Sequence, residues 1–501
     1  MLSRVKLAVF VVLLAILVAG CGSSKKKSAA STPAATTTTA PAPKPGPTQH
    51  FYSRPDLKPP LVRVETAAHG TAPGYLFLAP KMVVAQAGPL IMDNRGEVVW
   101  FKPLNTKGVT DFRVQKYDGK PVLTWWRGHL SNMGVGDGWY VIYDTSYKPV
   151  AEVRPGHGLV GDVHEFLITR RNTAVFTVYH RLPVDLSSVG GPKDGKIWDG
   201  IVQELDIKTG RVLFEWHSYP TVGIKESYSP PPKASAGAKA PPFDYFHINS
   251  IDVEPNGNFL VSARNTHTVY EIDRKTKKVL WRLEGKKSSF AMGSGTKFAW
   301  QHDARRQANG TITLFDNGAA PPVEKFSRVL VLRVDTKAKK VSLVKSYHHP
   351  KRLLAPFEGN AQFLPNGDVL VGWGAQPYLS ELGPDGSVRF DAYFGHGKPP
   401  GEDADTYRAY RFVWHGSPTD RPALAVGGGT AYASWNGATE VRRWLVLAGP
   451  DAQHLQKVAE AARSGFETPI RVSKSAAVYA VRAIGNNGKV LGTSRAVKAN
   501  S

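Results

Sequence analysis

The sequence predicts an all-β protein, a six-bladed β-propeller followed by a small β-sandwich, on three observations: a hairpin unit recurs, Asn-Gly corners punctuate it, and the pattern changes after about Pro422. One half of the unit is a polar start, an apolar strand, a turn and a second strand, as in Ile248 to Val253 then Asn258 to Ala263, or Asn360 to Leu364 then Asp368 to Gly372. Gly257, Gly310 and Gly367 each follow an asparagine, and Asn-Gly suits the positive-φ corner of a hairpin. The other half is a strand, a turn and a strand often closed by an aromatic, as in Leu90 to Trp100, Val202 to Trp216, Val269 to Trp281 and Tyr378 to Phe390. Two halves make a four-stranded antiparallel unit of about fifty residues, the period of a propeller blade. Starts near Gly74, Asp111, Val163, Ile248, Gln301 and Asn360 give six such units.

The first residues predict export. Arg4 and Lys6 precede an apolar stretch from Leu7 to Val18 that is too short to span a bilayer and runs into Val18-Ala19-Gly20-Cys21. Residues 1–20 therefore read as a lipoprotein signal, with Cys21 lipidated and the chain anchored to an extracytoplasmic membrane face; a plain signal with an incidental cysteine is the other reading. Cys21 is the single cysteine, so disulfides, thiolate metal sites and cysteine nucleophiles are excluded from the folded part. Residues 21–55, rich in Lys, Thr, Ala and Pro, read as a disordered tether, residues 56–421 as the propeller and residues 422–501 as the sandwich. In that last part, short strand-like segments from Thr430 to Arg495 carry a tryptophan early and a tyrosine late and resemble a fibronectin type III module, with an extra blade remnant as the alternative. The insertions 182–196 and 220–242 read as loops able to cover one mouth of the channel.

The net charge of +23 invites a nucleic-acid reading, but the basic residues are scattered over strand-like and turn-like segments without a basic helix. The charge is read as solubility and attraction to anionic envelope material or substrates, with no nucleic-acid partner.

A blade begins with its innermost strand, so polar residues at unit starts face the axis. Three units place a histidine there: His164 in Asp-Val-His-Glu, His247 in Phe-His-Ile-Asn-Ser and His302 in Trp-Gln-His-Asp. The segments 246–250, 262–267 and 300–303, in this order on this repeat, resemble the active-site signatures of the bacterial arylsulfotransferases, and the similarity runs from about His69 to Trp414. The resemblance implies sulfuryl transfer from an aryl sulfate to a phenol through a sulfohistidine, with ping-pong kinetics and no cofactor. It implies His302 as the nucleophile, with His164, His247 and Arg264 cradling the sulfuryl oxygens and Asn249 a weaker candidate for that cradle. A neutral imidazole is nucleophilic near pH 7, and an imidazole pair with a planar guanidinium suits a tetrahedral oxyanion.

Trp126, Tyr179 and Trp373 sit near the expected channel mouth, where they either stack on a substrate ring or pack the core. Trp100, Trp216 and Trp281 recur at one place in the unit and read as blade packing, while His217, His348 and His349 read as solvated. Three histidines on one axis also admit a zinc or copper site, although no metal is assigned. A non-enzymatic binding propeller at the envelope and an aryl sulfate hydrolase remain alternatives. The oligomeric state is left open.

Overall fold

The computed structural model describes residues 44–106, 108–131, 134–234 and 240–499. The signal peptide, Cys21 and the tether up to residue 43 lie outside the described residues. The fold is all-β, and among the described residues the only helical elements are three single 3₁₀ turns.

The body is a series of antiparallel meanders. Strands Gly108–Tyr117, Lys120–Leu130, Gly136–Tyr143 and Pro149–Val153 follow one another, as do Gly161–Ile168, Thr173–Pro183, Lys196–Asp206 and Val212–His217. The same order repeats from Ile248–Val253 to Val279–Leu283, from His302–Arg306 to Lys340–Tyr347, and from Asn360–Phe363 to Val388–Tyr393. The first strands of these groups lie side by side around a ring, Gly108–Tyr117 beside Gly161–Ile168 and onward to Asn360–Phe363. That arrangement is propeller-like, with inner strands lining an axis and apolar clusters between neighbouring sheets. Trp100, Trp216 and Trp281 are buried in those clusters.

The ring closes in a way the repeat did not reveal. Tyr75–Leu78, near the expected first start at Gly74, is a second strand, and its inner neighbour is Ala409–Phe412 from the far end of the body. Pairing tail to head leaves no open edge at the seam, where an unpaired ladder would be a liability.

A charged layer fills the axis just below the first residues of the inner strands. Arg408 Nη1 lies 3.0 Å from both Asp111 Oδ1 and Glu165 Oε1. Arg305 Nη2 reaches Glu165 Oε2 at 2.5 Å and Asp303 Oδ1 at 2.7 Å, and Arg113 pairs with Asp111 and Glu165. Burial would neutralise a lone carboxylate, but the surrounding guanidinium charges hold Glu165 well below the usual carboxylate range. Beyond this layer, a cavity of about 380 Å³ opens between Gln115, Lys116, Gln307, Gln362 and Phe363.

The C-terminal strands form two further sheets, Ala423–Gly427, Thr430–Ser434 and Glu467–Arg471 in one, Gln456–Ala462, Arg443–Gly449, Val478–Ile484 and Val490–Thr493 in the other. Trp435, Trp444, Val446, Tyr479 and Val481 pack between them. The end of the expected tether is ordered against this part: Phe51 meets Phe466 at 4.4 Å, Tyr52 stacks on Tyr432 at 4.2 Å, and Glu467 accepts from the Ser53 backbone and hydroxyl. Two aromatics within a Pro-rich stretch supply apolar surface that a Lys/Ser/Thr/Ala/Pro linker lacks, so residues 51–53, expected within the disordered tether, are packed here.

Candidate active site

The three histidines predicted from the repeat do come together. Ring centroids lie 5.0 Å apart for His164 and His247 and 6.5 Å for His247 and His302. His302 opens the strand His302–Arg306 and His164 lies within Gly161–Ile168, whereas His247 sits one residue before Ile248–Val253 with φ at +55°. Each lies at or near the start of a strand that the ring places at the axis. The residues directly after His164 and His302, Glu165 and Asp303, belong to the charged layer, which forms the floor of the site.

Hydrogen bonding fixes the tautomer of His302. Asn317 Nδ2 donates to Ala355 O and Glu358 O, both at 2.9 Å, so its Oδ1 must be the atom 2.7 Å from His302 Nδ1. An acceptor at that position requires a proton on Nδ1 and leaves the lone pair on Nε2, where the Glu358 backbone N–H approaches at 3.4 Å. Burial first, and then the Arg264 charge, hold His302 well below the ordinary histidine value, so it is a neutral imidazole at neutral pH.

The other two histidines are each oriented by a carboxylate. His164 Nδ1 lies 2.5 Å from Asp162 Oδ2, and His247 Nδ1 pairs with Asp244. Asp162 also accepts from the Gly136 N–H and the Thr177 hydroxyl, both at 3.1 Å. Both imidazoles thereby present Nε2 away from their carboxylates, the arrangement by which a carboxylate steadies an imidazolium. Burial lowers His247 despite Asp244.

Arg264 is the cation of the site. Its Nη1 donates to Asn265 Oδ1 at 2.9 Å and its Nη2 to Pro356 O at 3.2 Å, while its guanidinium lies 4.8 Å from the Trp300 ring. Among the described residues its Nε has no hydrogen-bond partner and no carboxylate is within ion-pair distance. Burial pulls it down to about 10, still charged at neutral pH. His267, at the end of the same sequence signature, is sandwiched between Tyr228 at 4.0 Å and Trp300 at 4.3 Å and is pushed down to about 3 by burial and by Arg264. Tyr228 belongs to the 220–242 insertion, and its N–H donates to Asn265 O at 2.7 Å, so that insertion does flank the site.

The remaining sequence candidates divide. Tyr179 belongs to the site: its ring is 5.6 Å from His164 and 5.9 Å from His247, and its hydroxyl donates to Ile248 O. Asn249 commits Nδ2 to Gln301 O at 2.7 Å and its backbone carbonyl to Tyr407 and Arg408, so it bridges inner strands beside His302. Its free Oδ1 is an acceptor and offers nothing to a sulfuryl oxygen. Trp126 and Trp373 are fully buried core residues, their indole N–H groups on Gly161 O and Ser380 Oγ, and Trp373 packs its ring on His349, away from the three site histidines. Trp126 takes the packed face of Lys120–Leu130 and Trp373 directly follows the strand Val369–Gly372 into the core; a position near a mouth does not say which way a side chain turns. His349 is likewise buried, not solvated, 3.2 Å from Asp391.

Sequence reasoning missed four partners. Asp162 and Asp244 were legible, since an acidic residue two or three positions before a candidate histidine can reach its Nδ1. Asn317 was not, because it meets His302 across a strand pair. Tyr407, whose ring lies 5.5 Å from His164 and 6.4 Å from His302, comes from the ring-closing end of the body. Among the described residues no group of three or more His, Cys, Asp or Glu side chains has a metal-holding arrangement.

The site is thus a buried histidine centre on the axis of an all-β propeller-like body, beside a guanidinium with no carboxylate in ion-pair distance among the described residues. A family model described as Arylsulfotransferase (ASST) matches residues 113–395, and the chain belongs to that family. No curated protein matches it. Similar solved structures include a Bacteroides caccae protein of unknown function, 12% identical over 68% of this chain and 98% of that one, with a TM-score of 0.39. A Lactobacillus plantarum protein is 11% identical over 80% and 99%, with a TM-score of 0.35. A catalytically inactive virginiamycin B lyase from Staphylococcus aureus with quinupristin is 10% identical over 77% and 95%, with a TM-score of 0.30. Likenesses this distant carry no argument about chemistry.

Proposed function

We propose that this chain transfers a sulfuryl group from an aryl sulfate to a phenolic acceptor through Nε2 of His302, without a nucleotide donor. The observation that carries the reading is Arg264, a guanidinium with no carboxylate in ion-pair distance among the described residues, beside a histidine whose tautomer is locked with the lone pair on Nε2. In the first half-reaction that lone pair forms an N–S bond while the S–O bond to the aryl group breaks. His164, whose Nδ1 is held by Asp162, is the general acid that gives the leaving phenolate its proton. In the second, the acceptor phenol returns a proton to His164, its oxygen bonds sulfur, and the N–S electron pair goes back to His302. Arg264 and protonated His247 balance the sulfuryl oxygens throughout.

The same reading takes the body as a six-bladed propeller, which the ring of inner strands supports. It takes the C-terminal sheets as a fibronectin type III-like sandwich, which their three-plus-four strand order supports. It places the protein outside the cytoplasm on a lipid at Cys21, on the strength of the signal and lipobox.

The test is p-nitrophenyl sulfate with and without phenol, using protein from residue 44 onward. Phenol-dependent nitrophenol release and formation of phenyl sulfate are expected; release that ignores phenol would mean a hydrolase, and no release would end the proposal. Arg264→Met is expected to lower kcat/KM by about 10²-fold, the usual loss for one preorganised oxyanion donor.

Substrate binding should also take up a proton. Unliganded His247 is neutral at pH 7, and its Nδ1–H is held by Asp244, so its Nε2 can donate to a sulfuryl oxygen only after protonation. Affinity for the aryl sulfate should therefore fall as pH rises above 7, by up to about tenfold per unit. Calorimetric titration of His302→Ala in two buffers of different ionisation heat measures this directly, and identical heats after correction for dilution would refute it.

A further inference from the structure

The segment 355–359 holds both the nucleophile and the cation of this site. Its Glu358 N–H faces His302 Nε2, its Ala355 and Glu358 carbonyls fix the Asn317 amide, and its Pro356 carbonyl accepts from Arg264. The backbone there is unusual: Glu358 has φ at +64° although it carries a side chain, and Gly359 follows at +103°. Such conformations persist only where the surroundings over-determine them. The Gly359 N–H donates to Tyr407 O at 3.1 Å, which joins the segment to the ring that lies against His164 and His302.

What anchors this segment comes from the opposite end of the sequence. Lys81 is 1% exposed, and its Nζ lies 2.7 Å from Glu358 Oε1 and 2.6 Å from Asp405 Oδ1. Lys81 stands directly across from Asp405 in the short pairing of Lys81–Met82 with Ala404–Asp405. Asp405 is two residues before Tyr407. One ammonium therefore ties together the two segments that flank His302. A buried ion pair is a poor device for stability alone, because desolvating the charges offsets their attraction. A lysine buried here is better explained by what it holds in place.

We propose that Lys81 is a positioning residue for sulfuryl transfer, fixing segment 355–359 and Tyr407 around His302 through Glu358 and Asp405. The proposal rests on the reading of His302 as the sulfuryl carrier. Lys81→Met removes the anchor and touches none of the reacting atoms. Glu358→Gln is the milder variant, keeping the shape and a hydrogen-bond acceptor for Lys81.

The experiment compares both variants with the wild type by two readouts. In single-turnover release of nitrophenol, Lys81→Met is expected to lose about 10²-fold in rate with KM changed by less than about threefold, the signature of a misplaced nucleophile. Glu358→Gln should lose about tenfold. In nitrogen NMR of histidine-labelled protein, His302 should show the Nδ1–H tautomer in the wild type and a mixture of tautomers in Lys81→Met. A variant that folds, keeps the wild-type single-turnover rate and keeps one tautomer overturns the proposal. If Lys81→Met does not fold, Glu358→Gln decides by the same two measures. A wild type without transfer activity overturns the carrier reading instead, and the tautomer comparison still decides whether Lys81 positions His302.

Discussion

His302→Ala is expected to abolish sulfuryl transfer, lowering nitrophenol release in the presence of phenol by at least about 10⁴-fold, the scale seen when a covalent nucleophile is deleted. The reason is geometric as much as chemical. His164 and His247 also present imidazole nitrogens, but each gives its Nδ1 to a carboxylate instead of a neutral amide. Only His302 has a neutral amide on Nδ1 and a lone pair held on Nε2. Its side chain is buried, so the variant leaves a small cavity beside Tyr407 without unpairing a charge. Mass spectrometry of wild-type protein quenched with aryl sulfate should find the sulfuryl group on the His302 peptide. A variant that retains a tenth of the wild-type rate, or a label on another residue, would show that the carrier lies elsewhere.

The second large effect is on stability. Arg408 has no solvent exposure, and its guanidinium reaches Asp111, Glu165 and Asp303 and the Asn249 carbonyl. Arg408→Leu keeps the apolar stem but leaves buried carboxylates short of a partner, at a cost of about 3–5 kcal/mol. The measurement is the urea midpoint at pH 7, which should fall without a matching change in slope. Activity should drop as well, because the Asn249 carbonyl that Arg408 holds also accepts from Tyr407. An unchanged midpoint would mean that Arg113 and Arg305 alone neutralise the axis.

The repeat carried most of the architecture in plain view. Hairpin corners at Gly257, Gly310 and Gly367 mark where strands reverse, and the unit starts from Asp111 to Asn360 fall on or next to inner strands. That is why three histidines far apart in sequence could be expected to converge, and they do. What the sequence concealed are relations between units. The pairing of Ala409–Phe412 with Tyr75–Leu78 has no local signal, so Tyr407 could not be placed beside the histidines. Trp126 shows a limit of another kind, because strand alternation assigns a face only when the register is known to the residue. Lys81, Glu358 and Asp405 each look like ordinary surface charges until the fold buries them together.

The tail-to-head seam also sets an order in time. A ribosome must deliver the strand at 409–412 before the strand at 75–78 can find its inner neighbour, so the circle cannot close while most of the chain is still being made. Pairings so distant along the polymer form slowly, and until then one sheet presents an open flank to other chains. Because Tyr407 and Asp405 arrive on that same late segment, the site is completed last, and a chain stopped between residues 302 and 404 has all three histidines but neither the Tyr407 ring beside them nor the Asp405 carboxylate that Lys81 needs.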